Sequence, residues 1–158
     1  MRVGLGRPTF GERLELEAAG RRFGGVVVSM GNPHFVVDPL GEPPIPVARA
    51  HGAALERHAA FPARSNVELL RVERGAIELA VWERGAGLTE ACGTGAGAAF
   101  AAARRSGWIE GASAIVRLPG GPLAVREEAD GEISIEGEAV RVFDGWLSAP
   151  ASSSAPPS

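Results

Sequence analysis

The chain has 158 residues, 45% apolar and 22% charged, with 16 basic and 19 acidic side chains and a net charge of −3. That is enough apolar material for one packed domain, and the charges form no basic stripe, so nucleic acid is not expected as a partner. No run approaches the roughly 18 apolar residues of a membrane span, and the opening MRVGLGRPTF lacks the regions of a signal peptide, so a cytoplasmic location is expected.

The first elements read as strands. Glu12 to Ala18 alternates polar and apolar, Gly24 to Met30 is a β-branched run of the buried kind, and His34 to Asp38 is a third short strand. Gly41 to Pro46 breaks the pattern. Val47, Ala50, Ala54 and Leu55 then recur at helical spacing, which predicts an amphipathic helix over 47–58 with His51 and His58 on its surface. Asn66–Glu73 and Ala76–Glu83, separated by Arg74-Gly75, read as a hairpin. Thr94–Arg105 is Ala-rich, ends on two arginines and meets Gly107, the signature of a second helix. Short strands are expected at Ala114–Leu118, Pro122–Glu127, Glu132–Glu136 and Ala139–Phe143, and the tail 148–158 is low-complexity and expected to be disordered. About nine strands and two helices make an α+β domain over 1–147, a curled, mostly antiparallel sheet around the Ala-rich helix.

One cysteine excludes an intrachain disulfide, and a lone Cys with three scattered His does not resemble a structural zinc site, so no metal is expected. All sixteen basic residues are Arg. Without a lysine the chain cannot form the Schiff base that holds pyridoxal phosphate, and any α-carbon chemistry must do without that cofactor.

The informative stretch is Trp82 to Gly97, WERGAGLTEACGTGAG, where a strand gives way to a Gly-rich loop and the start of the Ala-rich helix. Cys92 stands just ahead of that helix. Free N–H groups and the positive end of the dipole stabilise anions there, which lowers a thiol pKa from about 8.5 towards neutrality and offers donors to a carboxylate. Gly93, Gly95 and Gly97 leave the approach clear of side chains. A thiolate beside a bound carboxylate can remove a proton from the adjoining carbon. On residue type alone a lone Cys in an Ala-rich segment is more often core packing than a catalyst.

Four blocks, GNPHFVV at 31–37, FPARSNVELL at 61–70, VWERGAGLTEACGTGAGAA at 81–99 and RLPGGPL at 117–123, resemble the second half of diaminopimelate epimerases in order and spacing. The resemblance implies an isomerase interconverting LL- and meso-diaminopimelate, in lysine and peptidoglycan precursor synthesis, with two thiols facing each other across the α-carbon. It makes Cys92 one of those thiols. It further implies that the backbone of Gly93 and Thr94 binds the reacting carboxylate, that Glu83 assists there and contacts the amino group, that His34 orients the thiol, and that Asn32, Asn66 and Arg84 read the distal amino-acid end. Arg84 offers a planar fork to a carboxylate, and an Asn amide satisfies either a carboxylate or an ammonium. Read without the resemblance, Asn32 before Pro33 could be a turn former, Glu83-Arg84 a solvated pair and His34 structural.

The family's first half supplies the second thiol in a Cys-Gly-Asn-Gly block, which this sequence lacks. A truncated chain is therefore expected, its partner being the missing N-terminal half or a second copy in a homodimer. Gly137-Glu138-Ala139 also departs from the expected Gly-Pro-Ala, and VFDGWL at 142–147 matches the family's end. Two alternatives stand beside this reading: an isomerase of the same fold acting on proline-like substrates or in phenazine synthesis, and a catalytically silent amino-acid-binding module.

Overall fold

The computed structural model describes residues 1–146. In chain order the elements are β1 (Arg2–Gly4), β2 (Thr9–Ala18), β3 (Arg21–Ser29), β4 (Pro33–Val37), α1 (Pro44–Glu56), β5 (Asn66–Glu73), β6 (Ala76–Glu83), β7 (Gly87–Thr89), α2 (Gly93–Arg105), β8 (Ser113–Leu118), β9 (Gly121–Glu127) and β10 (Ile133–Glu136). All described strands join one sheet in the order β1-β10-β9-β8-β6-β5-β4-β3-β2, with β7 paired to β6. The turn residues Ala19-Gly20 and Arg74-Gly75 have positive φ (49°, 75°, 51° and 77°), the backbone of tight two-residue hairpins that match strand twist.

Only two pairs are parallel, β4 with β5 and β6 with β8, and these are the pairs joined through the helices. Both crossovers step the same way across the sheet, but β6 runs opposite to β5. Right-handed crossovers must then place α1 and α2 on opposite faces. Two hydrophobic clusters confirm this. One gathers Val36, Leu70, Leu79 and Val81 around α2. The other gathers Phe35, Val37, Val67, Leu69 and Ala80 around Val47, Ala48 and Leu55 of α1. The period of two along each strand therefore decides which residues face α2, and His34 and Glu68 share that side with Val36 and Leu70. Every residue from Gly95 to Ala103 is buried, and α2 touches β3, β4, β5, β6, β8, β9 and β10, as the expected curled sheet around the Ala-rich helix requires.

Four expectations change. The described chain has no strand at 139–143; the segment finds no neighbouring strand there, and Val140, Val142, Phe143 and Trp146 are 73–101% exposed. Two three-residue strands, β1 and β7, are too short to show a periodicity and bring the number to ten. His51 is half-buried against Phe23 and reaches the carbonyl of Ala18, while His58 lies past the end of α1. The tail 148–158 and Leu147 lie outside the described residues.

Candidate active site

Cys92 is the N-cap of α2. Its backbone is extended (φ −140°, ψ 107°) and its Sγ accepts from the N–H of Gly95 at 3.3 Å, so the sulfur takes the place that an Asp or Ser oxygen usually fills. Among the described residues no acceptor takes the N–H groups of Gly93 and Thr94. They are placed to receive an anion.

Around the sulfur runs a hydrogen-bonded chain of side chains. Thr94 Oγ1 lies 3.6 Å from Sγ. Asn32 Nδ2 donates to Thr94 Oγ1 at 3.4 Å, and Asn32 Oδ1 lies 2.9 Å from His34 Nε2. His34 Nδ1 lies 2.6 Å from Glu68 Oε1, with both side chains wholly buried. His34 thus reaches the thiol through Asn32 and Thr94 and not directly. Asn32 is no mere turn former, since both ends of its amide are engaged.

The other expected residues gather along the end of β6. Asn66 donates to the carbonyl of Pro33 at 3.0 Å and accepts from the backbone N–H of Arg84 at 2.8 Å, tying β4 to the turn after β6. Glu83 accepts from Thr89 Oγ1 at 2.6 Å, and the Arg84 guanidinium reaches the carbonyl of Ala63 at 3.3 Å from an exposed position. The two adjacent charges therefore serve different partners. That turn is also held from α1: Glu56, buried, accepts from the N–H of Gly85 at 2.9 Å and from the Trp82 indole at 3.4 Å.

The electrostatics differ from expectation. Burial pushes the Cys92 thiol up, and Glu83 adds to that push, outweighing the Thr94 and Gly95 hydrogen bonds that act the other way. The dipole argument considered the helix terminus without its surroundings. The three glycines also serve the protein's own packing: a Cβ on Gly93 would stand 3.0 Å from Ile135. A Cβ on Gly95 would stand 3.0 Å from Glu68 Oε1, 3.1 Å from Val81 and 3.2 Å from Cys92 Sγ, and one on Gly97 would stand 2.8 Å from Leu5. Glu68 and Glu56 were not singled out from sequence. A glutamate inside the apolar run NVELL was a signal available for the first, since a charged residue at a core position must be paired.

Two solved structures share this architecture. A protein from Pseudomonas aeruginosa described as a predicted epimerase matches with a TM-score of 0.60 at 20% identity, over 85% of this chain and 53% of that one. A hydroxyproline epimerase from Agrobacterium vitis with bound trans-4-hydroxy-L-proline matches at 0.59 and 18%, over 85% of this chain and 48% of that one. The curled sheet around a thiol-capped helix therefore has the fold of these epimerase structures. Residues 26–142 match the Diaminopimelate epimerase family model. Sequences called diaminopimelate epimerase from Pseudomonas savastanoi pv. phaseolicola and Parabacteroides distasonis are 43% and 40% identical over 139 and 150 residues, covering 85% and 92% of this chain and 49% and 54% of their own. The chain belongs to the diaminopimelate epimerase family, and it spans about half the length of the curated relatives it matches.

Proposed function

We propose that this chain forms one face of an epimerase site for LL- and meso-diaminopimelate, with Cys92 as its acid/base thiol. The observation that carries the reading is the sulfur at the N-cap of α2, next to two unclaimed backbone N–H groups, with Thr94 and Glu83 near it and Asn32 and His34 behind Thr94. A substrate carboxylate on the N–H groups of Gly93 and Thr94 would bring the α-carbon over Sγ. The thiolate then takes the α-proton, breaking C–H and forming S–H, while charge moves into the carboxylate against the helix terminus. Glu83 receives the α-ammonium. Asn32 and Asn66 each retain one amide N–H, and with Arg84 they read the distal end.

Inversion requires a second acid on the opposite face of the carbon, and the only cysteine here is Cys92. That second thiol would come from a polypeptide corresponding to the half of the relatives that this chain does not cover. The test is NMR of LL-diaminopimelate in heavy water with the purified chain. Loss of the α-proton signal without efficient inversion, abolished by Cys92→Ala, is expected, and proline should not exchange. Exchange that persists in Cys92→Ala refutes the role of the thiol. Turnover to the meso isomer at rates typical of enzymes refutes the half-site.

A further inference from the structure

One buried ionisable group has no part in this scheme. Glu68 sits mid-strand in β5 with no exposed surface; its Oε1 contacts His34, and its Oε2 has no hydrogen-bond partner among the described residues. It lies near the sulfur across Gly95, where an added Cβ would stand 3.0 Å from Oε1 and 3.2 Å from Sγ.

The donor and acceptor inventory gives the chain a direction. Asn32 Oδ1 can only accept, so His34 Nε2 at 2.9 Å must carry a proton. Asn32 Nδ2 can only donate, so Thr94 Oγ1 accepts from it and the Thr94 hydroxyl hydrogen is free for Cys92. With Nε2 protonated, the 2.6 Å contact between Nδ1 and Glu68 Oε1 holds one proton. The bare Oε2 decides which partner owns it. A buried carboxylate oxygen stripped of donors is more costly than the carbonyl oxygen of a neutral acid, so the proton belongs to Glu68. Burial raises the pKa of Glu68, in agreement.

We propose that Glu68 is a positioning residue for Cys92: as a neutral acid it donates to His34 Nδ1, holds the ring with Nε2–H towards Asn32, and so turns the Thr94 hydroxyl onto the sulfur. This rests on the reading of Cys92 as the acid/base thiol. The titratable groups facing the thiol are Glu83 of β6 and Glu68 of β5, with His34 of β4 behind Asn32.

The test uses the whole chain without substrate. With one cysteine and no tyrosine, the ultraviolet absorbance of thiolate titrates Cys92 alone, with Cys92→Ala as the blank. Glu68→Gln keeps a donor for Nδ1 and should reproduce the wild-type curve. In Glu68→Leu the ring can take the other tautomer, the Asn32 amide turns over and the Thr94 hydroxyl leaves the sulfur; the thiolate fraction below the midpoint should fall about tenfold. Adding Thr94→Val to Glu68→Leu should change nothing further. A rise in thiolate fraction in Glu68→Leu, the sign of a removed carboxylate charge, overturns the proposal, and so does Glu68→Gln behaving like Glu68→Leu. Should Glu68→Leu not fold, nitrogen NMR of His34 in the wild type decides: the neutral Nε2–H form supports the proposal, and the imidazolium or the Nδ1–H form refutes it. A failed exchange assay with diaminopimelate leaves these readouts intact, so the two readings fail separately.

Discussion

A thiol at a helix terminus is pulled two ways, and at Cys92 the pull of burial wins. Two weak donors, the N–H of Gly95 at 3.3 Å and the Thr94 hydroxyl at 3.6 Å, oppose desolvation and the neighbouring Glu83 carboxylate. In the proposed reaction a bound ammonium would shift that balance towards thiolate, as a base needed only in the presence of substrate would require. Gly95 is what lets the sulfur and Glu68 lie so close. Gly95→Ala should lower stability by about 1–3 kcal/mol through overpacking, although Ala is the better helix former by about 1 kcal/mol. Urea denaturation checks this, and a stabilised variant would contradict the packing role. The importance of Gly95 was visible in sequence as an alternating-glycine turn, but its reason was not, because the contacts come from β5 and β6.

At the scale of elements, α1 governs the turn that carries Arg84. Glu56 at the end of α1 accepts from Gly85 and Trp82 and lies near Arg57 and Arg64. Burial alone would raise its pKa; the Gly85 N–H, the indole and the two arginines together bring it below the ordinary 4.5. A carboxyl depressed in the fold contributes stability that is fully present above the unfolded value and is lost as pH falls through the folded one. The wild type should therefore lose stability as pH drops below 4.5. Glu56→Gln should be less stable at neutral pH by about 1–3 kcal/mol and show a flatter acid limb, read from urea midpoints across pH. Equal slopes would remove Glu56 from the account. The Arg74-Gly75 hairpin and the Ala-rich helix were legible from turn residues and propensity. The role of Glu56 was not, since Gly85 is 29 residues away and nothing local marks the bond.

Considered as a whole molecule, the described chain closes its core on both faces of the sheet but leaves Val140, Val142, Phe143 and Trp146 uncovered. Apolar residues so exposed and so near one another promote association. Sedimentation should show concentration-dependent self-association of the chain, weakened by Val142→Ser with Phe143→Ser. A chain that stays strictly monomeric at high concentration would contradict this. The expected strand at 139–143 has the right alternation for pairing, but no strand among the described residues pairs with it.

The sequence by itself determined where most strands fall along the chain, the hairpin turn at Arg74-Gly75, the Ala-rich helix, the place of Cys92 at its start and the family to which the chain belongs. These are local matters of periodicity, turn chemistry and motif, each contained within a short window. Only the tertiary structure decided which side of the sheet each helix covers, that Glu68 stands behind His34, and that the thiol is raised instead of lowered. Those outcomes depend on burial and on hydrogen-bond direction between residues far apart in the chain, where the handedness of two crossovers, and no pattern along the sequence, brings the groups together.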